Sequence, residues 1–166
     1  TYIETFPLKE MVKEAVETIQ PLADAKQMAL TVEAQTWPDV RSDRMRLLQC
    51  LLNLLSNAVK YSDNEGEIGV QISGDDGRIE IAVRDSGIGI AEENMEKLFE
   101  AFETFESHLR VKAGGTGLGL YLTKKIATTL LEGEVSAKSQ LGSGSTFTLT
   151  IPESYDTGKD QVSNGG

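Results

Sequence analysis

Leu8, Met11, Val12, Ala15, Val16 and Ile19 recur at helical spacing, and Pro21 is expected to stop or kink that run. Ala29 to Ala34 alternates as a strand does, and Trp37-Pro38 reads as a break. Ser42 or Asp43 can cap a long helix that runs to about Tyr61 and closes at Asp63-Asn64-Glu65-Gly66. Ile68, Val70 and Ile72 alternate, Gly74-Asp75-Asp76-Gly77 turns, and Ile79, Ile81 and Val83 alternate again, which is a hairpin signal. After Asp85-Ser86-Gly87-Ile88-Gly89-Ile90 a short helix is expected from Glu92, and the pattern is irregular from about Lys97 to Thr116. Leu120, Leu122, Ile126, Ala127 and Leu130 predict a helix from about Gly119 to Leu131. Val135 to Lys138 and Ser145 to Ile151 predict a second hairpin around Gly142-Ser143-Gly144, ended by Pro152. Residues 153–166 are rich in Gly, Ser, Asp and Asn and read as a flexible tail, leaving residues 1–152 as one domain. About three helices and about five strands predict an α/β (α+β) two-layer sandwich. Its sheet is expected to be mixed and mostly antiparallel, with the helices on one face and the other face wet.

Composition narrows the partners. Among 166 residues, 16 are Lys or Arg and 26 are Asp or Glu, a net charge of -10. The pI is near 4.6. General nucleic-acid binding needs a basic surface that displaces counterions, and docking on anionic lipid needs one too, so neither is expected. A small anionic ligand remains open, because a local pocket can oppose the global field. Cys50 is the single cysteine and His108 the single histidine. The single cysteine excludes an internal disulfide framework and a multi-cysteine zinc site, and the single histidine weighs against a histidine-based metal site. No apolar run approaches about 18 residues. The chain begins at Thr1 without a Met, which reads as a domain excised from a larger protein.

Three segments carry candidate chemistry. Advancing about 100 degrees per residue along the long helix brings Arg46, Gln49, Asn53, Asn57 and Lys60 to within about 40 degrees of one line. Leucines, Ala58 and Val59 fill the opposite side. A solvated helix face is the ordinary reading of such a stripe, and Cys50 beside it reads as packing. Yet Asn is a poor helix former, and solvated faces favour Glu and Lys. Carboxamide oxygens bind hard cations such as Mg2+, a lysine meets phosphate as a point charge, and the neighbouring Tyr61 offers a ring to a purine. Asp85, at a strand end, accepts hydrogen bonds only and suits a ligand bearing an amino group, as adenine does, while Gly87 and Gly89 allow close approach. Gly114-Gly115-Thr116-Gly117-Leu118-Gly119 opens a helix, and helix-end amides favour phosphate. Two familiar phosphate loops are absent. Gly119 is followed by Leu120-Tyr121 rather than Lys-Ser/Thr, and Leu stands where a dinucleotide fingerprint needs its third Gly. No His-Arg-Asp or Asp-Phe-Gly occurs either.

In order, these segments resemble the boxes of sensor histidine kinases. Asn53-Leu-Leu-Ser-Asn57-Ala-Val-Lys60-Tyr61 looks like the N box, and Asp85-Ser-Gly-Ile-Gly89 like the first glycine box. Leu98-Phe99-Glu100-Ala101-Phe102 resembles the F box, Gly115-Thr-Gly-Leu-Gly119-Leu the second glycine box, and Gly142-Ser-Gly-Ser-Thr-Phe147 the closing hairpin. The resemblance spans about residues 1 to 152, and five boxes in order are far more specific than any one. It implies a histidine-kinase-type ATPase fold, shared with gyrase, heat-shock chaperone and mismatch-repair ATPases, that binds ATP and Mg2+. By matching, Asn57 coordinates Mg2+, Asn53 lies close to it or to the phosphates, and Lys60 contacts phosphate. Tyr61 lines adenine, Asp85 accepts from its exocyclic amine, and Gly87, Gly89 and Ile90 give the base room. Gly115, Thr116, Gly117, Leu118, Gly119 and Leu120 lie along the phosphates. Residues 103–114 match an ATP lid anchored by Phe99, Phe102 and Phe105, with Arg110 or Lys112 reaching the γ-phosphate. Ser145 or Thr146 supports Asp85 through water.

The implied activity is protein-histidine phosphorylation, with the acceptor on a separate helical dimerisation domain and a response regulator further downstream. No helical His-Glu or His-Asp acceptor segment is read here, and His108 falls in the lid. The resemblance implies a cytoplasmic domain, whether or not its parent is membrane-anchored. Asn53 stands where the superfamily's hydrolases carry a glutamate general base, which implies slow intrinsic hydrolysis and weighs against a conformational ATPase. Two alternatives remain open: a nucleotide-sensing module that transfers nothing, and a serine kinase of the anti-sigma-factor type.

Overall fold

The computed structural model describes residues 1–91 and 118–156, with Leu118 and Gly119 described by backbone alone. The helix expected from Glu92 lies outside the described residues. The elements run β1 (Glu4–Pro7), α1 (Leu8–Ala25), β2 (Ala29–Ala34), β3 (Asp39–Ser42), α2 (Arg44–Tyr61), β4 (Glu67–Asp75), β5 (Arg78–Asp85), α3 (Leu118–Leu130), β6 (Glu134–Ser139) and β7 (Ser145–Pro152).

The apolar stripe of α1 buries Leu8, Met11, Val12, Ala15 and Ile19. Pro21 does not stop the helix, which continues to Ala25. Pro21 is exposed, so the carbonyl left without an N–H donor can meet water. Burial of Ala23 and a 2.8 Å hydrogen bond from Gln20 to Asp24 hold the last turn. In α2, Asp43 is the N-cap and accepts from the Arg46 amide at 3.2 Å. That helix buries Leu47, Leu51, Leu54, Leu55 and Ala58 against the sheet.

The main sheet has the order β2-β4-β5-β7-β6. β2 pairs with β4 in parallel, and the other neighbours are antiparallel. Asp76 and Gly77, both at positive φ, join β4 to β5 in the two-residue geometry that matches strand twist. Alternate residues of the strands (Ile68, Val70, Ile72, Ile79, Ile81, Val83, Phe147, Leu149) face the three described helices and form the core with Leu120, Ile126 and Ala127 of α3. Each such side chain, fully buried, contributes about 1.5–3 kcal/mol. Gln71, Glu80 and Arg84 occupy the exposed positions between them, so the opposite face is open to solvent.

One sheet escapes the hydrophobic pattern. β1 and β3 pair antiparallel with Phe6 opposite Val40. Each strand has four residues and buries one or two side chains, too few for alternation to register. Residues Glu153 to Asp156, assigned from composition to the tail, run along β3: the Arg41 amide donates to Glu153 O at 2.9 Å and the Tyr155 amide to Arg41 O at 2.7 Å. Among the described residues no helix is long and apolar enough to cross a membrane.

Candidate active site

The C-terminal half of α2 carries Asn53, Asn57, Lys60 and Tyr61. A merely solvated stripe would expose all of them. Only Lys60 is exposed; Asn57 is 9% exposed and Asn53 and Tyr61 are half-buried. Asn53 Nδ2 donates to Thr123 Oγ1 on α3 at 3.2 Å, which fixes its carboxamide. Cys50, one turn before, is fully buried beside the Thr123 carbonyl, and burial pushes its thiol up to about 12. It is an inert packing residue. The amide nitrogen of Asn57 is buried and has no hydrogen-bond partner among the described residues. A buried carboxamide left unsatisfied costs stability, and its oxygen and nitrogen are interchangeable by a flip. Asn57 is thus a buried carboxamide whose hydrogen-bonding capacity is not fully used among the described residues, and a carboxamide oxygen is a donor type that suits a hard cation.

The second part of the site is the turn after β5. Asp85 lies on the helix-facing side of that strand and is 7% exposed. Burial raises its carboxyl above the ordinary carboxylate range, and hydrogen bonds from the backbones of Gly87 and Ser145 partly offset this. The Gly87 amide donates to Asp85 Oδ1 at 2.9 Å. Any Cβ at Gly87 would lie 2.3 Å from the Tyr61 carbonyl oxygen, so only glycine lets the Asp85 turn seat on the end of α2. Gly89 has φ +75, and a Cβ there would lie 2.1 Å from the Gln140 carbonyl. The turn is thereby strapped to the β6–β7 connection, where the Gly142 amide donates to Ile88 O at 2.7 Å. The Ser139 hydroxyl accepts from the Ile90 amide at 2.7 Å, donates to Gly144 O at 2.9 Å and lies 2.9 Å from Ser145 Oγ. Ile90 itself is buried.

Asn53, Asn57, Lys60 and Tyr61 lie on the C-terminal half of α2, and the turn with Asp85 and Gly87 seats on its end at Tyr61, while Gly89 and Ile90 carry that turn on to the β6–β7 connection. α3, whose first turn holds Leu118, Gly119 and the buried Leu120, is joined to α2 through Thr123. Thr146 is not brought in. Strand alternation turns it to the open face, where it lines a shallow cleft with Thr31, Gly69, Gln71 and Arg84. Ser145, opposite Asp85 in register, takes the helix-facing position instead. Phe102, Arg110, Lys112, Gly115, Thr116 and Gly117, with the lid and His108, lie outside the described residues. The sequence reading missed Thr123, Ser139 and Lys26. Lys26 donates from its ammonium to the carbonyls of Val59, at 2.6 Å, and of Ser62 at the end of α2. A lysine after a helix and a serine at a strand end carry no local signal of such long-range bonds.

Residues 42–155 match the family described as histidine kinase-, DNA gyrase B- and HSP90-like ATPases. The chain belongs to this family. Members of it bind ATP, and this domain is of the histidine-kinase type. It is 39% identical to the sensor-like histidine kinase SenX3 of Mycolicibacterium smegmatis over 93% of the chain and 40% of that protein. It is 37% identical to the circadian input-output histidine kinase CikA of Synechococcus elongatus over 91% of the chain and 20% of that protein. The chain therefore spans less than half of each of these relatives. The catalytic domain of histidine kinase ThkA superposes with a TM-score of 0.82 at 26% identity, covering 93% of this chain and 97% of that one. ThkA in complex with the response regulator protein TrrA gives 0.77 at 25% identity, over 92% of this chain and 42% of that one. The two-layer architecture expected from the pattern, with its mixed and mostly antiparallel sheet, is that of this ATPase domain.

Proposed function

We propose that this chain is the ATP-binding catalytic domain of a cytoplasmic sensor histidine kinase region, donating the γ-phosphoryl group of ATP to a histidine on a separate dimerisation domain. The observation that supports the proposal is a buried acceptor, Asp85, seated on the end of α2 that carries the buried Asn57, whose amide nitrogen has no partner among the described residues. Asp85 accepts from the exocyclic amine of adenine, and Tyr61 lines the ring. Gly87, Gly89 and Ile90 give the base its room. Lys60, exposed on the same stripe, meets phosphate oxygens. Asn57, with Asn53 beside it, would hold Mg2+. When bound, Mg2+ neutralises phosphate charge, and phosphoryl transfer needs such neutralisation and positioning more than covalent help. Among the described residues no cluster of three His, Cys, Asp or Glu side chains forms, so the carboxamides of Asn57 and Asn53 are the donors the described residues would offer the cation. Asn53 has no basic carboxylate to activate water, which favours transfer over hydrolysis.

The test is transfer in trans. The chain is mixed with the helical dimerisation domain of its parent and γ-labelled Mg-ATP. The expected product is an acid-labile, base-stable phosphohistidine on the acceptor, with a rate at least about tenfold lower for Asn57→Ala, a barrier change of about 1.4 kcal/mol. Acid-stable phosphoserine on a partner would identify the serine-kinase alternative. Tight ATP binding without any transfer would identify the sensing module.

A further inference from the structure

The end of α2 lacks the glycine cap that most often satisfies the last carbonyls of a helix. Its C-cap residue, Ser62, is extended, with φ -98 and ψ 148. In place of a backbone cap, the Lys26 ammonium reaches across from the α1–β2 connection. It donates to Val59 O at 2.6 Å and to Ser62 O. The Lys26 backbone carbonyl in turn accepts from the Glu65 amide at 2.8 Å. One residue therefore holds both the last turn of α2 and the loop after it. A cation at a helix C-terminus is also favoured by the helix dipole.

That helix end carries Lys60 and Tyr61, and the Tyr61 carbonyl is the surface on which Gly87 seats the Asp85 turn. The same turn is tied to the loop by Ser86 Oγ, which accepts from the Glu67 amide at 2.8 Å. We infer that Lys26 is a positioning residue for nucleotide binding: it clamps the end of α2 so that the phosphate-facing Lys60 and the adenine-facing Tyr61 and Asp85 keep one spacing. Lys26 touches no reacting group. The inference rests on the ATP reading of this site.

The experiment compares wild type, Lys26→Met and Lys26→Arg for Mg-ATP affinity by calorimetric titration, at a temperature where circular dichroism shows all three fully folded. Lys26→Met keeps the aliphatic stem and removes the donors; Lys26→Arg keeps donors. Ile19→Val, buried in α1 away from the site, serves as a variant of lowered stability with intact binding residues. Expected are an affinity for Mg-ATP about tenfold weaker in Lys26→Met, largely restored in Lys26→Arg and unchanged in Ile19→Val. Amide exchange at residues 59–66 and 86–89 should quicken in Lys26→Met alone. A folded Lys26→Met that binds Mg-ATP as wild type does would overturn the Lys26 role while leaving the ATP site standing. A folded wild type that binds no Mg-ATP would sink the reading of the site, and this inference with it.

Discussion

Asp85 shows how single residues set stability against binding. Its carboxyl is raised above the ordinary range, chiefly by burial, so the folded chain holds that proton to a higher pH than the unfolded chain does. Where the folded state binds more protons, stability falls as pH rises. Asp85 therefore costs stability as pH climbs from the ordinary carboxylate range through its own raised value, and the cost stays in place at neutral pH. Asp85→Asn keeps an oxygen for the Gly87 amide and removes the buried charge. Urea unfolding at pH 7 should show the unliganded variant at least as stable as wild type, and the difference should shrink in acid; a large loss at pH 7 would contradict the account. Gly87→Ala works in the other direction. Its Cβ would lie 2.3 Å from the Tyr61 carbonyl oxygen, so denaturation should show a loss of about 1–3 kcal/mol, with weaker nucleotide binding. Asp85 and Gly87 were legible in the sequence as a carboxylate at a strand end followed by glycines. The orphaned nitrogen of Asn57 was not, because the helical stripe places the residue but says nothing of what covers it.

At the scale of elements, α2 is held at both ends by side chains. Asp43 caps its start and Lys26 its end, while the Asn53–Thr123 bond fastens its middle to α3. Asp43→Ala should lower stability by about 1 kcal/mol in thermal or chemical unfolding, the usual worth of an N-cap. That substitution also removes the acceptor for the Tyr2 amide. The long helix, both hairpins and α3 were readable because each carries several periods of apolar spacing. β1 and β3 were not, since four-residue strands offer too few positions to alternate. Pro21, expected to stop or kink the helix, does not stop it: α1 continues to Ala25 with Ala23 buried. Of the two residues expected to support Asp85, Ser145 is in phase with it and Thr146 is not, since in a strand one residue is the difference between the two faces.

Across the whole molecule, the net charge of -10 does not oppose the proposed phosphate contact, because an anion at that site would meet Lys60 and helix-end amides locally rather than the average field. The layered fold gives that set its place: the sheet fixes Asp85, α2 fixes the carboxamides, and the Gly87 contact sets the distance between them. A ligand bridging these parts should stabilise the folded chain as a unit. At about 100 times its dissociation constant it adds about 2.7 kcal/mol, or roughly 5–11 °C for a domain of this size. The most direct measurement is thermal unfolding of wild type and Asp85→Asn with and without saturating Mg-ATP. Wild type should shift by that amount and Asp85→Asn not at all, with unliganded Asp85→Asn melting no lower than unliganded wild type. A wild type that melts at the same temperature with and without Mg-ATP, or an Asp85→Asn variant that gains as much from the nucleotide as wild type, would contradict it.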